Sequence, residues 1–166
     1  FGDAISLMIK EHKSASSSVK KASKSIEYAS LKIYKHLKLN PNGRLIYAGA
    51  GTSGRIGVQD GVELLPTFGW PQNRLDYIIA GGKKAILKSI ENAEDYTSQA
   101  IDTILNKSVS SQDAVIALAA SGNTPFTCKV LEEANKIGAL TICISNNPNG
   151  NLLKFADGKI ILGTEE

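Results

Sequence analysis

Val19, Ala22, Ile26, Ala29, Ile33 and Leu37 recur at steps of three or four. That spacing predicts a long amphipathic helix over residues 16–39, with one stripe turned to a core. Ile5, Met8 and Ile9 predict a shorter helix ahead of it. Asn40-Pro41-Asn42-Gly43 breaks the pattern, and the periodicity then changes. Short apolar runs predict strands over 44–48, 75–80, 114–119, 140–145 and 159–162. Helical patterns fall between them over 54–65, 83–96, 98–106 and 125–137, with a short one at 152–156, and a loop is expected over 66–71. Thr124-Pro125 reads as N-cap and first-turn residue of the helix at 125, and Gly138 as its C-cap. Apolar strands alternating with helices make the fold class α/β, a parallel sheet covered on both faces.

Two glycine- and hydroxyl-rich turns leave the carboxyl ends of strands: Gly49-Ala50-Gly51-Thr52-Ser53-Gly54-Arg55 and Ala120-Ser121-Gly122-Asn123-Thr124-Pro125. In a parallel sheet such turns border the ligand crevice, and the helix N-termini beside them offer free N–H groups to an anion. The plainer reading is a pair of tight turns with hydroxyl caps. Capping takes one hydroxyl per helix, however, and each turn carries two, which favours the phosphate of a small metabolite. The first turn also matches G-x-G-x-x-G. A dinucleotide site further requires an acid at the end of the next strand, whereas Asp76 stands at its beginning.

Glu94 continues the row of Ile86 and Ile90, and Glu63 follows Ile56 by seven residues among Val62, Leu64 and Leu65. Burial would raise these carboxyl pKa values and suit them to general acid chemistry; a small rotation of either helix would leave the acid in solvent. The pattern leaves both readings open. Lys83-Lys84 at a helix start reads as surface charge, and Trp70 between prolines as a packing or subunit-contact residue.

The 166 residues, 42% apolar and 21% charged, describe one globular domain of ordinary size or two small ones. A net charge of +3 is too mild for nucleic acid, and the lysines of the N-terminal stretch read as a solvated helix face. Cys128 and Cys143 have no metal-ligand spacing, and His12 and His36 lie far from both, so a reduced, cytoplasmic protein without metal is expected. No apolar run reaches membrane length, so no membrane partner is expected. A chain that begins at Phe1 and stops just after its last strand reads as part of a longer protein.

The run from Gly43 to Arg55 closely resembles the N-acetylmuramic acid 6-phosphate etherases of the sugar isomerase (SIS) domain superfamily. Asp60-Gly61-Val62-Glu63, Pro66-Thr67-Phe68-Gly69, Ala80-Gly81-Gly82, Glu91-Asn92-Ala93-Glu94-Asp95 and Ala119-Ala120-Ser121-Gly122-Asn123-Thr124-Pro125 match in the same order. The resemblance implies a three-layer α/β/α sandwich with a five-stranded parallel sheet of flavodoxin-like topology, spanning 41–166 behind a helical lead-in at 1–40. It implies homodimers with a site near the subunit interface, a sugar-phosphate substrate and no cofactor. The implied reaction is cleavage of the D-lactyl ether of N-acetylmuramic acid 6-phosphate in amino sugar catabolism and peptidoglycan recycling. On that resemblance Glu63 matches the acid/base acting on the lactyl oxygen, Glu94 a second catalytic glutamate, and Gly51, Thr52, Ser53, Ser121, Gly122, Asn123 and Thr124 the sugar-phosphate turns. Asn123 stands where the family commonly has Arg, and Gly61-Val62 where it commonly has Ala-Ser. A non-catalytic sugar-phosphate sensor and an aldose–ketose isomerase are the alternatives within the superfamily.

Overall fold

In the computed structural model, which describes residues 2–163, five parallel strands form one sheet in the order β2-β1-β3-β4-β5. They are β1 (Leu45–Gly49), β2 (Leu75–Ile79), β3 (Ala114–Leu118), β4 (Leu140–Ser145) and β5 (Gly158–Ile161). The helices are α1 (Gly2–Lys21), α2 (Ser23–Leu39), α3 (Gly51–Phe68), α4 (Lys84–Leu87), α5 (Thr97–Asn106) and α6 (Pro125–Ile137). Short 3-10 segments lie at Gln72–Arg74, Ala93–Asp95 and Asn151–Phe155.

Successive strand residues face opposite ways, so β1 serves two cores. Ile46 and Ala48 join Phe126, Val130 and Ile104 beneath α5 and α6. Leu45 and Tyr47 join Leu37 and Leu64 beneath α2 and α3. The result is the three-layer sandwich expected of the resemblance. At the amino ends of β1 and β3, Asp113 is 2% exposed. Its carboxylate accepts the Arg44 backbone N–H at 2.8 Å, the Arg44 guanidinium at 2.9 Å and the Ser110 N–H at 2.9 Å. Burial alone would raise the pKa of this carboxyl, but the Arg44 and Ser110 hydrogen bonds outweigh it and the net direction is down.

Several boundaries differ from the sequence expectation. The predicted helix over 16–39 is divided between the end of α1 and all of α2, which meet at Ala22, whose backbone stays in the right-handed region (φ −82°, ψ 0°). No glycine or proline marks the junction, and Val19, expected on the buried stripe, is exposed. α3 begins at Gly51 rather than 54 and runs through Pro66 to Phe68, ending at left-handed Gly69. The helix predicted over 83–96 is the largest departure: α4 stops at Leu87 and an extended strap follows. Asn92 takes φ 57°, a left-handed turn that Asn tolerates and a helix does not. Lys83 and Lys84 are both exposed.

Candidate functional site

The chain leaves β1 for β2 on one side and returns to β3 on the other. Their following helices diverge to opposite faces and open a crevice at the carboxyl ends of β1 and β3. The first turns of α3 and α6 border it. Gly49 and Gly54 make the first approach possible: a Cβ on Gly54 would lie 3.0 Å from the Gly49 carbonyl carbon and oxygen. Gly51, at φ 51°, turns the chain directly from strand into helix, so Thr52, Ser53 and Gly54 form the first helical turn rather than a loop before it.

Neither helix has a side-chain cap. Thr124 occupies the expected N-cap position of α6 without making the capping hydrogen bond, and residue 50, at the N-cap of α3, is an alanine. The leading N–H groups of α3 and the N–H groups that follow Pro125 in α6 therefore face the crevice end without intrahelical partners. Thr52 is exposed and Ser53 and Thr124 are half-buried. That removes the capping explanation for the surplus hydroxyls and leaves a cradle suited to an anion.

The α6 turn is braced from behind. Gly122 meets Gly150 so closely that a Cβ on either would come within 2.8 Å of the other's Cα. The fully buried Ser145 Oγ accepts the Asn147 N–H at 3.0 Å and lies 3.2 Å from the Ala120 carbonyl. Asn147 donates from Nδ2 to the Ser121 carbonyl at 2.9 Å. Asn123 accepts the Asn151 N–H at 3.0 Å through its Oδ1, and the Ser121 hydroxyl accepts the Asn123 N–H at 3.2 Å. Asn123 thus ties the turn to the β4 exit and leaves its amide nitrogen to the exposed side.

A cavity of about 200 Å³ lies against the start of α3, walled by Gly51, Arg55, Ser89, Asn92 and Glu94 among others. Glu94 reaches it from the Ala93–Asp95 turn of the strap and is exposed; it does not continue a helical row from Ile86 and Ile90. Glu63 is exposed as well, so neither carboxylate is buried among apolar neighbours as one reading of the sequence allowed. At about 1.5 Å of rise per residue, Glu63 sits roughly 18 Å down α3 from Gly51. Within one chain the two glutamates do not converge. Near Glu63, Ile56, Val62, Leu65 and Phe68 are exposed on the same helix.

Comparison with known proteins follows the same lines. The family model for the glucokinase regulatory protein N-terminal SIS domain matches residues 29–135. The chain belongs to this SIS-domain family. It is similar to proteins named N-acetylmuramic acid 6-phosphate etherase: that of Pasteurella multocida is 47% identical over 126 residues, covering 75% of this chain and 42% of the relative. That of Bacteroides fragilis is 40% identical over 158 residues, covering 94% and 56%. The chain spans about half the length of the curated relatives it matches. A phosphoheptose isomerase from Francisella tularensis superposes with a TM-score of 0.72 at 17% identity, covering 99% of this chain and 85% of that one. The Vibrio vulnificus NanR protein complexed with ManNAc-6P gives 0.60 at 14% identity, covering 95% and 51%. At these identities the structural likeness shows the fold.

Other features of this SIS domain divide between support and surface. Arg55 closes the first turn's motif with no role assigned to it by the sequence, and for Ser145 and Asn147 the asparagine-rich run after β4 was the one available signal. Asp76 pairs with Lys107 at 2.6 Å and Arg44 at 3.4 Å at the amino end of β2, so the dinucleotide acid is missing at the carboxyl end. Trp70 packs as expected, donating to the Arg74 carbonyl at 3.0 Å beneath the Arg74 guanidinium. Cys128 and Cys143 are free thiols whose pKa values burial pushes up, which argues against a nucleophilic role for either. Among the described residues no cluster of three metal-ligating side chains occurs, and no helix is long and apolar enough to cross a membrane. A larger hollow of about 500 Å³ runs along the edge strand β2, lined by Val58, Val62, Ile79 and Ile86, away from both hydroxyl-bearing turns.

Proposed function

We propose that this chain is the sugar-phosphate-binding portion of an etherase that cleaves the D-lactyl ether at C3 of N-acetylmuramic acid 6-phosphate, yielding N-acetylglucosamine 6-phosphate and D-lactate. The observation that carries the reading is the pair of uncapped, hydroxyl-bearing helix starts at the carboxyl end of the sheet, with Glu94 walling the cavity against the start of α3. Identity of 40–47% to proteins of that name supports it, against 14–17% to the fold neighbours. The 6-phosphate lies against the first turns of α3 and α6, held by N–H groups and by Thr52, Ser53, Ser121 and Thr124.

In the ring-opened aldehyde, Glu94 takes the C2 proton. The electron pair left behind forms the C2–C3 double bond as the C3–O bond breaks, and Glu63 protonates the departing lactyl oxygen. Water then adds at C3, losing its proton to Glu63 while C2 regains one. Because Glu63 lies roughly 18 Å down α3 from Gly51, it reaches this crevice from a second copy of the chain in a homodimer. The exposed Ile56, Val62, Leu65 and Phe68 beside it supply an apolar contact for that copy.

The test is D-lactate release by the full-length protein. Glu94→Gln is expected to lower turnover by about 10² to 10⁴-fold, the usual contribution of a general base, with sugar-phosphate binding retained. A second reading, a sugar-phosphate sensor, is favoured by the family match to a regulatory protein's domain. It predicts binding of the phosphosugar with no lactate release by the unsubstituted protein, an outcome that would sink the etherase assignment.

A further inference from the structure

We propose that Arg55 is a positioning residue: it fastens the strap that carries Glu94 to the helix whose first turn is the anion cradle. The inference rests on the etherase reading of Glu94 and extends it to a residue that does not touch the reacting atoms. α4 ends after four residues, leaving its last carbonyls without helical partners. Arg55, in the second turn of α3, donates from Nε to the Ala85 carbonyl at 3.0 Å and from Nη2 to the Lys88 carbonyl at 3.4 Å. Beyond these, the strap holds itself by short-range bonds, Ala93 N–H to the Ile90 carbonyl at 3.4 Å and Asp95 N–H to the Asn92 carbonyl at 3.0 Å, and buries Ala93. Glu91, Asn92 and Glu94 are exposed.

A guanidinium presents its donors in a fixed fork, so one side chain engages two carbonyls of the strap's root at once, and a lysine ammonium cannot reproduce that geometry. The same side chain walls the cavity with Glu94. Arg55 therefore fixes the root of the strap on the α3 side, while the turn that carries Glu94 rests on the core through Ala93. Its charge balances strap carbonyls and is not required to hold the substrate's phosphate.

The test compares the full-length protein with its Arg55→Met and Arg55→Lys variants by hydrogen exchange and by steady-state lactate release. In Arg55→Met, amides over 85–95 are expected to exchange faster while those of α6 keep their protection. kcat is expected to fall roughly 100-fold, the cost of about an ångström of misplacement, with KM nearly unchanged. Arg55→Lys should recover part of both. A raised KM at unchanged kcat would make Arg55 a substrate contact and overturn the proposal, as would unchanged exchange over 85–95. If Arg55→Met fails to fold, the lysine variant decides alone: wild-type kcat and wild-type exchange there refute the role. If the unsubstituted protein releases no lactate, the etherase reading fails, and the exchange measurement still decides whether Arg55 holds the strap.

Discussion

Asp113 shows how much of the domain's stability one side chain holds. Its carboxylate, almost wholly buried, closes the amino ends of β1 and β3 by accepting two backbone N–H groups and the Arg44 guanidinium. Removing the charge in Asp113→Asn leaves Arg44 partly unbalanced and one N–H short of an acceptor. The expected loss is about 3 kcal/mol in urea unfolding at neutral pH, at the low end for a broken buried pair because Arg44 keeps some solvent. The sign with pH follows from the lowered carboxyl pKa in the folded chain. The unfolded chain binds this proton more readily, so the contribution is whole above the ordinary value of 3.8 and is lost as pH falls through the lower folded value. The gap between wild type and Asp113→Asn should hold steady above about pH 5 and shrink below pH 4. A gap that widens on acidification contradicts this account.

At the scale of elements, α3 lies on the sheet through glycines whose substitution should have unequal effects. A Cβ on Gly49 would lie 2.9 Å from the Cα and N of Gly54 and 3.1 Å from the Leu118 carbonyl oxygen, all backbone atoms that cannot swing aside. A Cβ on Gly57 would meet Leu118 Cδ1 at 3.2 Å, the far end of a side chain that can shift, and the fixed Tyr47 Cβ at 3.3 Å, a looser approach than the backbone contacts at Gly49. Gly49→Ala should therefore cost roughly 1–3 kcal/mol and weaken sugar-phosphate binding by displacing the first turn of α3. Gly57→Ala should stay near wild type, its crowding offset by about 1 kcal/mol of helix propensity. Urea melts with and without a 6-phosphorylated amino sugar measure both, and equal losses would refute the contrast. The same elements show what the sequence disclosed. β4 and α6 were legible to the residue because apolar runs and the Thr124, Pro125 and Gly138 signals agreed. The strap was not, because Ile86 and Ile90 mimic helical spacing while the chain turns at Asn92, an ordinary polar residue in the pattern. Arg55 was legible as the end of the first turn's motif, but its contact was not, because its partners are carbonyls, which any sequence supplies.

For the whole molecule the decisive relation is the one between two glutamates that a single chain keeps apart. The motifs containing Glu63 and Glu94 were both readable along the sequence, but their separation in space was not, since it depends on α3 running away from the crevice while the strap folds over it. If Glu63 serves a second copy's crevice, two variants that are each inactive should rescue one another. Full-length Glu63→Gln and Glu94→Gln proteins, unfolded together and refolded as a mixture, form heterodimers in which one crevice has its own Glu94 and the partner's Glu63 intact. Random pairing of equal amounts makes about half the dimers mixed, each with one competent site of two, so about a quarter of wild-type lactate release is expected. Should Glu63 act within its own chain, every crevice in the mixture lacks one carboxylate and activity stays at the level of the single variants. That result would require α3 or the strap to move far enough to close roughly 18 Å, and would count against the two-chain site.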